Sequence, residues 1–181
     1  MQKTLSIRAM AQVGVCTAVL AVLSQISIPL PSGVPITLQT LAVALCGFVL
    51  GAKRGALSVA LYILLGGIGL PVFAQLSGGF DKLIGMTGGF IWGFLPFAAL
   101  CGLGEQRRER RFVLKAVLSM AGLAVCHLLG VLQFSLVTGT GFGQSFALVS
   151  LPYLVKDVAS VYAAWLLALP INKALEKAGL R

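Results

Sequence analysis

The sequence predicts an all-α integral membrane protein with six transmembrane helices and both termini in the cytoplasm. Three observations carry that prediction. Apolar residues make up 58% of the chain and charged residues 10%, with a mean hydropathy of +0.97, which leaves too little polar surface to coat a soluble globule of 181 residues. Six apolar runs follow one another, each close to the ~17 to 20 residues that a helix needs to cross the hydrocarbon core. Twelve of the fourteen Lys and Arg residues fall at the N-terminus, in two gaps between runs, or at the C-terminus. They are Lys3 and Arg8, then Lys53 and Arg54, then Arg107, Arg108, Arg110, Arg111 and Lys115, and finally Lys173, Lys177 and Arg181. The other gaps, at 29–37, 71–88 and 139–145, hold one Lys and one Asp between them, so the basic residues alternate in side and mark the cytoplasmic face.

The runs lie at 7–28, 36–52, 55–73, 88–103, 112–137 and 146–171, within one domain spanning 1–181. The first begins like a signal peptide, but five further runs argue for a retained span. The fourth is short and holds Pro96, which points to a helix that is kinked, tilted or buried by its neighbours. Pro29, Pro31 and Pro35 make the first outer loop stiff and non-helical, suited to capping a site. In the second outer loop, Ser77-Gly78-Gly79 and Gly85-Met86-Thr87-Gly88-Gly89 allow backbone to approach backbone or ligand closely. Small residues spaced by four, as in Gly85, Gly89 and Gly93, in Gly47, Gly51 and Gly55, and in Gly14 and Ala18, predict close helix packing.

The net charge of +9 sits at helix ends, where anionic headgroups attract it, and not in the interleaved pattern of a nucleic-acid binder. Cys16, Cys46, Cys101 and Cys126 lie inside apolar runs at spacings that match no metal motif, and read as inert packed thiols. The chain has no HExxH, GxSxG or Walker A sequence, so neither an enzyme nor a cofactor is expected, and it cannot itself hydrolyse ATP.

Charged groups within a span default to function. The pair here is Lys156 and Asp157; Asp157 is sixteen residues from Lys173, about 24 Å above the basic boundary at about 1.5 Å per residue. The same arithmetic puts Gln39 near 20 Å, Gln25 near 25 Å and Gln133 near 27 Å. Polar groups from four helices thus converge under the outer loops, which predicts an outward-opening pocket with an apolar floor. Any one of these glutamines alone would read as an interhelical hydrogen bond. His127 reads as a lone histidine donating one bond to a neighbour, because no carboxylate can be placed beside it. Asp157 is the only acid within a span, so a carboxylate dyad cannot be assembled.

The blocks Ile26-Ser27-Ile28-Pro29-Leu30 and Val34-Pro35-Ile36-Thr37-Leu38-Gln39-Thr40-Leu41-Ala42-Val43 resemble the signature of the BioY family. Further matching blocks are Gly51 to Ser58, Gly69 to Ala74, Ser77-Gly78-Gly79 and Thr87-Gly88-Gly89-Phe90, dense from about residue 8 to 95 and thinner beyond. The resemblance implies the biotin-binding S component of an energy-coupling factor (ECF) transporter in the bacterial cytoplasmic membrane. It implies biotin held in an outward-facing pocket closed by outer loops, and partners comprising one transmembrane (T) subunit and two cytoplasmic ATPases. It places Asp157, Lys156, Gln39, Lys82, Thr87, Gly88 and Ser160 at the substrate site. Ala11, Gly14, Ala18 and Ala21 become the small-residue face offered to the T subunit. The family often carries Gly-Asp-x-x-Lys near the start of the last helix, where this chain has Lys156-Asp157-Val158-Ala159-Ser160. Asp157 then either accepts a ureido N–H of biotin or serves only Lys156, and the cation for the biotin carboxylate is either Lys156 or Lys82. The competing reading is a self-sufficient transporter or channel for another small solute that uses the Lys156/Asp157 pair.

Overall fold

The computed structural model describes residues 6–106 and 112–179. Helix α1 (Ile7–Ser24) starts where the Ser6 side chain accepts a hydrogen bond from the Ala9 amide, a side-chain N-cap. It stops four residues short of the end of the first apolar run. The β-branched residues and prolines that follow favour extended backbone, and β1 (Ser27–Ile28) pairs antiparallel with β2 (Ile36–Thr37), Ser27 facing Thr37 and Ile28 facing Ile36. The proline loop is therefore the tip of a short ribbon.

The second and third apolar runs together form α2 (Gln39–Gly67), broken at Gly51 with φ 77 and ψ 175. The halves fold back on each other. The Gln39 amide nitrogen donates to the Tyr62 hydroxyl at 2.8 Å, and the Ser58 hydroxyl to the Cys46 sulfur at 3.8 Å. In a straight helix residues 39 and 62 would be about 35 Å apart. A Cβ on Gly55 would lie 2.9 Å from the Gly47 Cα, so the arms touch backbone to backbone. Gly51 thus differs from its neighbours in the four-residue stripe: it supplies the reversal, in a left-handed conformation reserved for glycine, while Gly47 and Gly55 supply the packing. Helix α1 docks on this hairpin through the Thr17 hydroxyl, 3.0 Å from the Ser58 carbonyl, and through Ser24, 2.9 Å from the Tyr62 hydroxyl.

After α2, a 3₁₀ turn at Ala74–Leu76 and the short helix α3 (Phe80–Ile84) cross the top of the bundle and lead to α4 (Gly88–Gln106). More than half (56%) of the spanning part of α4 is buried, twice the share in the spans of α1, α5 or α7, so α4 is the central helix. That position tolerates Pro96 and lets the short run span, because its neighbours cover it. Helix α5 (Phe112–Thr138) packs so closely that a Cβ on Gly93 would sit 2.7 Å from the Cys126 Cα. Phe97, Ala98 and Cys101 of α4 are fully buried between α2 and α5.

A short helix α6 (Phe142–Val149) lies partly in what reads from sequence as the third outer loop, and α7 (Leu151–Lys177) follows after a break at Ser150. Pro152 in its first turn sets the new start, so the sixth run, 146–171, is shared between two helices. At the end opposite the proline loop, Lys115 pairs with Glu105 at 2.8 Å and the Asn172 amide donates to the Phe48 carbonyl at 3.1 Å. The Arg54 guanidinium reaches the Gln12 side chain at 3.4 Å. These contacts gather Arg54 and Lys115 at one end of the bundle; Lys3, the cluster Arg107 to Arg111, and Arg181 lie outside the described residues. Among the described residues five helices, α1, α2, α4, α5 and α7, are long and apolar enough to cross a membrane.

Replacing Gly51 with Ala forces a side chain into the left-handed reversal and is expected to destabilise the protein by about 1 to 3 kcal/mol. Gly14→Ala enters open space on α1 and is expected to be neutral or slightly stabilising. Thermal unfolding of both variants in detergent checks the contrast; equal behaviour would remove Gly51 as the reversal point.

Candidate functional site

The end opposite the basic contacts encloses a cavity of about 410 Å³, walled by the proline loop, the 73–87 segment and helices α2, α4, α5 and α7. Its apolar surface comes from residues such as Phe90, Ile91, Phe94 and Leu123. Of the residues the sequence assigns to the site, Gln39, Lys82, Thr87, Lys156 and Asp157 line it. Gly88 and Ser160 are not among its lining residues. Gly88 is wedged where a Cβ would collide with the Leu83 carbonyl and the Gln133 amide, and Ser160 is buried one turn beyond Lys156.

The charged centre is built from α5, α7 and β2. Asp157 has a side chain only 6% exposed, with Oδ1 against the Lys156 ammonium and Oδ2 3.2 Å from His127 Nε2. Lys156 Nζ also donates to the Thr37 carbonyl at 2.9 Å. Consecutive residues on a helix do not face each other, so this pair depends on the flexible lysine stem folding back. On its other side the His127 ring meets the Ser150 hydroxyl, 2.9 Å from Nδ1. A neutral imidazole with its proton on Nε2 satisfies both partners: it donates to Asp157 and accepts from Ser150.

His127 therefore differs from its reading in the sequence as a histidine with one neighbour. The carboxylate it lacked there is Asp157, thirty positions away in sequence and adjacent only because α5 and α7 meet. The line Ser150–His127–Asp157 has the order of a hydrolytic triad, but Ser150 is fully buried and not among the cavity's lining residues, so its hydroxyl orients the ring. What the arrangement offers chemically is an anchored, charge-compensated carboxylate on a cavity wall, matched to a ligand that presents N–H donors.

Gln25 and Gln133 share the depth of this centre but not its direction. Gln25 Nε2 donates to the Val72 and Phe73 carbonyls, each at 3.2 Å, and its Oε1 accepts from the Leu76 amide at 2.9 Å. Gln133 Nε2 donates to the carbonyls of Leu83, at 3.0 Å, and Gly85, at 2.8 Å. Both suspend the second outer loop, one from α1 and one from α5, and neither lines the cavity. The depth sum gives height along a helix and nothing about azimuth, which is why the four polar levels read as one pocket.

Tyr153, absent from the sequence reading, lines the cavity and ties its roof. Its hydroxyl donates to the Val34 carbonyl and lies 3.3 Å from the Ser32 hydroxyl, holding the proline loop against α7. It stands one turn before Asp157 on the same helix face, a spacing that was available as a signal.

A lipid-facing helical bundle with a loop-roofed cavity and one compensated carboxylate in its wall defines a membrane-embedded small-molecule binding protein. The sequence profile of the BioY family matches residues 1–177, and the chain belongs to that family. It is 37% identical over 166 residues to the biotin transporter BioY of Thermotoga maritima, covering 92% of this chain and 96% of that protein. It is 40% identical over 153 residues to the biotin transporter BioY of Rhodobacter capsulatus, covering 78% and 80%. The probable biotin transporter BioY of Pyrococcus horikoshii is 37% identical over 156 residues. In fold, the chain is similar to the crystal structure of the S-component for biotin from an ECF-type ABC transporter, with a TM-score of 0.84 over 96% of this chain and 95% of that one, at 22% identity.

His127→Leu leaves the buried Asp157 short of a donor and is expected to destabilise the protein by about 1 to 3 kcal/mol. His127→Gln keeps a donor for Asp157 and is expected to recover much of that loss. Thermal unfolding in detergent distinguishes them; equal midpoints would show that the His127 contact carries no stability.

Proposed function

We propose that this chain is the substrate-capture S component of a biotin uptake system, binding biotin from outside the cell and delivering it inward with an ECF ATPase module. The observation that carries the reading is the Asp157 carboxylate, held in the cavity wall by Lys156 and His127, in a chain whose relatives are biotin transporters. Biotin carries a ureido ring with two N–H donors and a carbonyl at one end and a carboxylate at the other. Asp157 accepts a ureido N–H in a charge-assisted bond. Lys156 is already committed to Asp157 and the Thr37 carbonyl, whereas Lys82 has a partly exposed side chain and the more distant Asp81 at 3.7 Å. The biotin carboxylate therefore falls to Lys82.

The two arms of α2, reversed at Gly51, count as two crossings and give six transmembrane helices in all. The basic end faces the cytoplasm, in the bacterial cell membrane, and the cavity opens outside. Ala11, Gly14 and Ala18 form an exposed stripe on α1, with Ala21 partly packed inward, and this stripe is the docking face for the T subunit. ATP hydrolysis belongs to the two ATPase partners.

Calorimetry on the purified chain in detergent is expected to give one-to-one biotin binding, weakened about tenfold or more by Asp157→Asn. Lys82→Met is expected to weaken binding of biotin but not of its neutral amide analogue. Absence of binding in a folded wild-type protein would overturn the reading; unchanged affinity in Lys82→Met would return the carboxylate to Lys156.

A further inference from the structure

Among the described residues, two that are not glycine adopt positive φ, and they are consecutive: Gln75 at 60° and Leu76 at 51°. Side chains other than glycine, and bulky ones above all, avoid this left-handed region, so such a pair persists only where its surroundings force it. Leu76 does not force it by packing, since it is 71% exposed. Hydrogen bonds on both sides do. Gln25 accepts from the Leu76 amide and donates to the Val72 and Phe73 carbonyls. The Phe73 amide donates to the Ser77 carbonyl at 2.9 Å, and the Ser77 hydroxyl to the Ala74 carbonyl at 2.7 Å. The Phe73 ring is buried against Gly66, which anchors the start of the turn.

Every contact in that clamp goes to residues flanking Gln75. Gln75 itself lines the cavity with an exposed side chain, and none of the hydrogen bonds of the clamp uses its carboxamide. The amides of Gln25, Gln39 and Gln133 are all engaged. A strained turn, fixed from outside, that delivers to a cavity an amide the clamp does not use is the pattern of a preorganised ligand contact. Lys82 lines the same cavity from the same outer segment, with Asp81 3.7 Å from its ammonium, and the biotin reading assigns the ligand carboxylate to Lys82.

We infer that Gln75 is a specificity-determining residue whose carboxamide donates a hydrogen bond to the ligand carboxylate beside Lys82. The inference rests on the biotin reading above and adds a contact to it. Binding of biotin and of its neutral amide analogue is measured by calorimetry for wild type, Q75A, Q75E and Q75G, with thermal midpoints of the ligand-free proteins. Q75A is expected to lose about tenfold in biotin affinity, within the range of a hydrogen bond to a charged group. Q75E keeps the shape but repels a carboxylate, so it loses more than Q75A for biotin and no more than Q75A for the amide analogue. Q75G adopts the left-handed turn freely, so its ligand-free midpoint rises while its biotin affinity falls as in Q75A. Wild-type binding with Q75A and Q75E within twofold of it overturns the Gln75 assignment alone. Equal losses for the two ligands in Q75E overturn the carboxylate contact. A folded wild type that binds no biotin overturns the substrate reading and this assignment with it.

Discussion

A carboxylate inside a bilayer must be compensated where it stands: the Lys156 ammonium offsets the charge of Asp157, the His127 ring donates a hydrogen bond to it from a second helix, and a third element fixes their geometry. Left alone, a buried charge costs several kcal/mol. Lys156 answers it with charge from α7, His127 with a hydrogen bond from α5, and the Thr37 carbonyl on the first outer loop accepts a hydrogen bond from the same ammonium. Ser150, at the break between α6 and α7, sets the ring of His127 from behind. The electrostatic requirement of one side chain therefore fixes the relative position of two helices, the helix break and the base of the proline loop.

The lower half of the bundle is organised by contact distance instead. Where Gly47 meets Gly55, and where Gly102 meets the Ala52 backbone, no side chain intervenes, and dispersion between backbones takes the place of a hydrophobic driving force that lipid does not supply. This close approach makes α4 the axis of the molecule despite its proline. At the other end Phe90 and Phe94 line the cavity, the Phe90 ring resting on Gly130 of α5.

The roof is held to the helices by glutamine hydrogen bonds as well as by packing. Gln25 and Gln133 hold opposite ends of the second outer loop through its carbonyls, and Tyr153 holds the first loop to α7. These hydrogen bonds act beside a few buried anchors, Phe73 and Leu83 under the second loop and Val34 under the first.

Apolar run length and the placement of basic residues were sufficient, in the sequence alone, to call for a helical membrane protein with a basic end, because the bilayer imposes length and charge rules that act residue by residue. The motif blocks around Pro29, Gln39 and Gly69 carried the family, and the one intramembrane acid, Asp157, lies in the cavity wall. Tertiary structure decided what depends on direction and on distant pairs: that His127 serves Asp157, that Gln25 and Gln133 turn to the loop while Gln39 lines the cavity, and that Ser160 lies off the cavity wall. Position along a chain measures height in a membrane well, but the azimuth of a side chain is set only when the helices pack. Gly51 falls on that side too, since its sequence spacing matched a packing stripe and only the returning arm of α2 reveals a reversal.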